Sequence, residues 1–154
     1  MELMKYVPYI ISRAAGELGA LKAKVLEDFG LNLREWRVLV ALGQENGQRV
    51  TDLSELALTE ISTLSRVLDS MEQRKLVRRK RARPNARAVT VHLTAAGRRL
   101  MTETLRDATR YEDARLERVD KKDLAVAIRV LKQIHDNARL HKWQSSSRKE
   151  AVSS

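Results

Sequence analysis

"RKLVRRKRARPNARAVTVHLT", Arg74 to Thr94, is the stretch on which the fold turns. From Arg74 to Arg87 it holds eight Lys or Arg and no acid. From Ala88 on it alternates, with Val89, Val91 and Leu93 apolar and Thr90 and His92 polar, the period-two signature of a half-buried strand. A block of like charge is usually a solvated tail, but this one lies mid-chain and runs into a segment built to fold. Leu76–Lys80 reads as a partner strand, and Pro84-Asn85 inside "RARPNAR" as the turn between the two. The block is therefore predicted to be a β-hairpin with a basic tip.

Two short helices precede it in "VTDLSELALTEISTLSRVLDSMEQRKLV". Thr51 is placed to cap the first, Asp52–Ala57, and Thr59 the second, which runs from Glu60 to about Arg74. Ile61, Leu64, Leu68 and Met71 recur at three- and four-residue spacing and predict one buried face. Thr59, Ser62, Thr63, Arg66 and Ser70 share the opposite face, which is short, polar and almost free of acid. Further out, "NLREWRVLVAL" predicts a helix capped by Asn32 and closed near Gly43. Tyr6–Phe29 predicts an amphipathic helix with Pro8 in its first turn and Gly30 at its end. Beyond the hairpin, Thr94 caps a long helix whose apolar side carries Leu100, Met101, Thr104, Leu105, Ala108 and Tyr111. Asp120–Asp123 opens a last helix, with Leu124, Ile128, Leu131, Ile134 and Ala138 as its buried positions. "SSSRKEAVSS" reads as a disordered polar tail.

The totals narrow the function. A chain of 154 residues suffices for one domain with a core. The net charge is +10, of which the Arg74–Arg87 block carries +8, leaving +2 elsewhere. Basicity this local implies an anionic partner, such as nucleic acid or an acidic membrane surface. The chain has no cysteine, which removes disulfides, thiol redox sensing and thiolate metal sites, and fits a cytoplasmic protein. No apolar run approaches the ~20 residues of a membrane span, and of the two anionic partners nucleic acid is the one expected. His92, His135 and His141 form no ligand cluster, so no metal or cofactor is called for. Aromatics are too few for a single-strand stacking platform. No Gly-rich phosphate loop or Ser/His/Asp pattern stands in an enzymatic context.

Helix, turn, helix and basic hairpin make a winged helix, so the fold class is mainly α with a small β-hairpin wing (α+β). B-DNA's major groove admits one α-helix and shows a distinct donor and acceptor pattern for each base pair. A helix entering it needs short polar side chains for close approach and one long donor for base edges. Thr59, Ser62, Thr63, Ser65, Arg66 and Ser70 are the candidate recognition set, with Arg66 able to fork onto guanine. On the wing, Arg78, Arg79 and Lys80 suit phosphates, while Arg81, Arg83, Asn85 and Arg87 lie near the tip, where a minor groove would be reached.

"LNLREWRVLVAL", the helix pair above, and "NARAVTVHLTAAG" together resemble the MarR family of bacterial transcription regulators. The wing carries the strongest match: the family pattern is Asp-x-Arg, a strand, then Leu-Thr-x-x-Gly, and here stand Asn85-Ala86-Arg87, Val89 to Leu93, Thr94 and Gly97. Asn85 replaces the usual Asp, which removes the carboxylate that steadies the wing arginine. Lys75 stands where the family usually has Gly; if that position needs φ > 0, the lysine costs of order 1 kcal/mol.

The resemblance implies a single domain over 1–144, with 6–30 and 95–143 as dimerisation helices, 32–94 as the DNA-binding lobe, and 145–154 as tail. It implies a homodimer on pseudo-palindromic double-stranded DNA, in the cytoplasm of a bacterium and associated with the nucleoid. It also implies a repressor that responds to a small phenolic or acidic effector. Tyr9, Arg13, Trp36 and Arg37 are the candidate pocket residues. The alternative reading is an architectural or RNA-binding winged helix with no regulatory role.

Overall fold

The computed structural model of the chain describes residues 2–81 and 89–152, with side chains through Arg139. A one-turn 3₁₀ helix, Leu3–Lys5, leads into α1 (Val7–Glu27), α2 (Leu33–Gln44), β1 (Gln48–Arg49), α3 (Val50–Leu56) and α4 (Ile61–Gln73). Strands β2 (Val77–Arg81) and β3 (Val89–Leu93) follow, then α5 (Ala95–Leu116) and α6 (Lys121–Val152). The chain divides into two compact units, Met1–Glu112 and Asp113–Ser154.

The hairpin forms as its alternation predicts: β2 and β3 are antiparallel, with Val77 opposite Leu93 and Arg81 opposite Val89. A third strand joins them. The two-residue β1 pairs with β3, which is thereby the centre of the order β1-β3-β2. Two residues are too few to show a period, so no sequence pattern marks this strand. Because β1 occupies Gln48–Arg49, α3 starts at once from Arg49, and Thr51 lies inside the helix rather than capping it.

The core of the first unit is built from fully buried Leu26, Leu39, Leu42, Leu53, Leu64, Leu68, Met71 and Val91. Helix α2 is central to it, and its start is defined twice over. Asn32 Oδ1 accepts from the N–H groups of Arg34 and Glu35, each at 3.0 Å, and Glu35 Oε2 accepts from the Asn32 N–H at 3.0 Å. This reciprocal capping box satisfies three orphan donors of the helix start.

Helices α1, α3 and α4 end in the same way, with the chain turning through a left-handed residue. For α1, Leu31 N–H reaches the Leu26 carbonyl and Gly30 N–H the Glu27 carbonyl, both at 2.9 Å, with Gly30 at φ 61. Leu26 and Leu31, both buried, pack across this Schellman turn. In α3 the turning residue is Leu58 at φ 51, and in α4 it is Lys75 at φ 57. Lys75 thus occupies a conformation that favours glycine. Thr94 holds it there: its hydroxyl donates to the Lys75 carbonyl at 2.6 Å and accepts from the Gly97 N–H at 3.0 Å, which caps α5. A Cβ on Gly97 would collide with the Leu76 carbonyl oxygen. The Leu-Thr-x-x-Gly pattern is therefore a joint: Thr94 fixes the turn after α4, and Gly97 lets α5 pack on the strand backbone.

Helix α6 opens on Asp120, whose Oδ1 accepts from the Lys122 N–H at 2.7 Å. Its expected buried positions are not buried: Ile128, Leu131 and Ile134 are exposed, as is Ala138, and Leu124 is only half-buried. Among the described residues nothing covers that stripe. The helix also continues past residue 144, where the sequence suggested a tail, since no Gly or Pro after Lys121 interrupts it.

Candidate nucleic-acid interface

Helix α4 buries Leu64, Leu68 and Met71 and turns Ser62, Ser65, Arg66 and Ser70 to solvent. Thr63 is half-buried at the edge of that face. Arg66 makes no ion pair among the described residues and keeps all its donors for a partner. Two placements differ from the sequence reading. Thr59 is buried, and its hydroxyl donates to the Ala57 carbonyl at 3.0 Å. The left-handed turn at Leu58 rotates Thr59 inward, so it belongs to the joint rather than the recognition face, and Glu60 takes the N-cap position. Ile61 was expected in the core and is 51% exposed, at the first residue of α4.

Strand alternation splits the wing cations between two faces. Arg78 and Lys80 share a face with Thr90 and His92, and Arg78 pairs directly across from His92. The Thr90 hydroxyl donates to the Lys80 carbonyl at 3.2 Å and so accepts from His92 Nε2 at 3.1 Å. Burial, then Lys80, then Arg78 hold the His92 imidazole below its usual value of 6.5. Arg78, Lys80 and Arg81 are the exposed cations of the wing strands, whereas Arg79 is half-buried.

Arg79 is not a free phosphate ligand, contrary to the sequence reading. Its Nη1 lies 2.6 Å from Asp69 Oδ1 and 3.1 Å from Glu72 Oε2, and its Nη2 donates to the Ser65 carbonyl at 3.0 Å. Its backbone N–H donates to Glu72 Oε1 at 2.8 Å. Arg79 therefore spends its charge binding β2 to α4 and fixes the wing against the recognition helix. No sequence spacing points to a strand–helix tie of this kind. Arg83, Asn85 and Arg87, at the tip, lie outside the described residues.

A cleft of about 200 Å³ opens between α1 and α2, lined by Ala15, Leu18, Gly19, Lys22, Leu33, Trp36 and Arg37. Of the four candidate pocket residues, Trp36 and Arg37 are among those lining it. Tyr9 and Arg13 lie nearer the start of α1 and do not line it, and Arg13 is exposed. The cation that the sequence reading missed is Lys22, one turn beyond Leu18 on the same face of α1 and bonded to Glu112 Oε1 at 2.8 Å. Arg37 also reaches away from the cleft: its Nη1 donates to the Ala57 carbonyl at 3.4 Å, the same oxygen that receives the Thr59 hydroxyl. No group of three or more metal-ligating side chains occurs among the described residues, and no described helix is long and apolar enough to cross a membrane.

The family model named MarR matches residues 31–89, from the start of the capping box into β3. A solved MarR family transcriptional regulator from Silicibacter pomeroyi DSS-3 is 30% identical, with 90% of this chain and 98% of that one covered at a TM-score of 0.78. The chain belongs to the MarR family. It is a DNA-binding transcription regulator with a winged helix-turn-helix fold, not an enzyme. The HTH-type transcriptional regulator MhqR of Bacillus subtilis (strain 168) is 23% identical over 130 residues, 84% of this chain and 90% of MhqR. The structure of Bordetella bronchiseptica BpsR, whose DNA binding is regulated by 6-hydroxynicotinic acid, shares the fold at 21% identity, with 85% of this chain and 99% of that one covered and a TM-score of 0.77.

Proposed function

We propose that this MarR regulator is a homodimeric repressor that binds a pseudo-palindromic operator and releases it when a small aromatic acid enters the α1–α2 cleft. The observation that carries the dimer is the uncovered apolar stripe of α6. Val126, Ile128, Val130, Leu131 and Ile134 are 39–49% exposed, and Leu105 and Tyr111 on α5 are exposed as well. Burial of large apolar side chains contributes roughly 1.5–3 kcal/mol each, so a stripe of this size favours a second copy over water. Two-fold symmetry then sets the recognition helices about one DNA turn apart.

Lys22 and Arg37 support the choice of an acid, and Trp36 and Leu18 the choice of a ring. The cleft is smaller than the roughly 300–1,000 Å³ of drug-sized sites, which limits the effector to about one ring. Exposed Ser62, Ser65 and Arg66 beside the wing cations support sequence-specific duplex binding over the architectural alternative. The test is site selection from random duplexes, followed by footprinting and light scattering of the complex. A palindromic site bound by one dimer upholds the reading; equal affinity for every duplex, or a monomer on DNA, overturns it.

A further inference from the structure

Ile61 is the one large apolar side chain of α4 that the core does not use. It is 51% exposed, in the first turn of the recognition helix, while Leu64, Leu68 and Met71 are fully buried. Together with Ser62, Ser65, Arg66 and Asp69 it forms a continuous exposed arc, spaced one, four, five and eight residues on. Its members are the side chains a helix presents when it enters a groove by its N-terminal end. Leu58, at the joint before it, is 74% exposed, so the apolar surface leads into the arc and does not end at one residue.

We infer that Ile61 is a specificity-determining residue that packs on the 5-methyl group of a thymine in each operator half-site. The major-groove edges of the four bases carry donors, acceptors and a single apolar group, the thymine methyl. A β-branched alkyl side chain has no donor or acceptor. Among Ser62, Ser65 and Arg66, which serve the polar edges, it has one favourable partner in that groove. Adenine, guanine and cytosine opposite it would each lose water from a polar edge without a replacement bond, so Ile61 discriminates in both directions. A protein partner for the same surface is less suited, because the arc is continuous with the DNA-reading side chains and would be covered by DNA when the regulator works. The inference rests on the operator-binding reading above.

The test uses the full-length protein and the site enriched from random duplexes. Each thymine is replaced in turn by deoxyuridine, which removes only the methyl group. Affinity is read by fluorescence anisotropy for the wild type, Ile61→Ala and Ile61→Val, with Arg66→Ala as a comparison. Wild type is expected to lose about threefold to tenfold at one thymine per half-site. Ile61→Ala should lose less than about twofold from that same uracil, while Arg66→Ala stays fully sensitive to it. Ile61→Val, which keeps a methyl contact, should fall between. If a site is enriched but no uracil substitution couples to Ile61, the thymine contact is refuted and the regulator reading stands. If no site is enriched at all, both fall. If Ile61→Ala leaves affinity and preference unchanged, the patch serves a protein partner and the thymine contact is again refuted.

Discussion

Arg74 Nη1 lies 3.0 Å from Glu35 Oε1, although Arg74 begins the basic block and Glu35 is a buried residue of α2. The other Glu35 oxygen accepts from Asn32, and Arg74 Nη2 donates to the Gly30 carbonyl at 2.8 Å. One ion pair thus ties the end of α1, the start of α2 and the end of the recognition helix. Removing one partner leaves a buried charge unpaired, which costs about 3–5 kcal/mol when both groups are buried. Arg74 is 38% exposed, so water screens part of the loss. Arg74→Ala is expected to lower unfolding free energy in urea by about 2 kcal/mol while leaving the salt slope of DNA binding unchanged. A changed slope would mark Arg74 as a phosphate contact.

Lys75 adopts φ 57 just past Arg74, the C-cap of α4, in the Schellman position that glycine normally fills. A side chain there costs of order 1 kcal/mol. Lys75→Gly relieves that strain but loosens the unfolded chain, so the expected gain is about 0.5 kcal/mol, read as a higher urea midpoint. Thr94→Val, which removes the bond to the Lys75 carbonyl, should lower the midpoint, and less so in the Lys75→Gly background.

Arg79 and Arg81 sit two residues apart on the same face of β2 and are expected to fail differently. Arg79 is held by Asp69, Glu72 and the Ser65 carbonyl, whereas Arg81 is exposed. Arg81→Ala should lower the slope of log K against log salt by about 0.9 for each phosphate it no longer neutralises. Arg79→Ala should weaken binding at every salt concentration with the slope unchanged, because it frees the wing and takes no cation away from a phosphate. A slope change for Arg79 would mean that it leaves its carboxylates when DNA binds.

The hairpin strands and the helix caps at Asn32 and Thr94 were legible in the sequence because each is a local pattern with a local cause. Thr59 and Ile61 misled for the opposite reason. A Thr before a helix reads as a cap, yet the left-handed turn at Leu58 sends its hydroxyl to the Ala57 carbonyl. Apolar spacing continues through Ile61, yet periodicity does not show where the core beneath it stops. Arg79 was hidden differently, since its partners lie on another element and no spacing rule links them. The same holds for Lys22 in the cleft, whose place depends on how α1 crosses α2.

His92 offers a pH test. Its imidazole is held below the usual 6.5 by burial and by Lys80 and Arg78, with Thr90 beside it and Gly47 packed against the ring. The native state therefore binds the proton less readily than the unfolded chain. Its contribution to stability is complete above about pH 6.5 and is lost as pH falls through the lowered native value. Urea unfolding at about pH 7.5 and about pH 5.5, on either side of that range, should show a larger drop for wild type than for His92→Gln. Equal drops would mean that the proton is taken up without cost.

Arg37 joins the cleft to the joint of the helix-turn-helix, since it lines the one and donates at 3.4 Å to the Ala57 carbonyl of the other. An acid in the cleft and the Ala57 oxygen compete for the same guanidinium, and the charged partner forms the stronger bond. Occupancy then withdraws a donor from the residue that precedes the left-handed turn into α4. A ligand shifts the equilibrium only by its differential affinity for the two states, so the coupling should run through this side chain. With benzoate as probe, a one-ring aromatic acid of the class proposed for the cleft, wild type is expected to lose DNA affinity by about tenfold, within the roughly 5–150-fold range of ordinary coupling. Arg37→Met, which keeps the bulk and loses the charge, should bind DNA somewhat less tightly without the probe and respond to it less than about twofold. An undiminished response in Arg37→Met would move the coupling to Lys22 or to the dimer geometry.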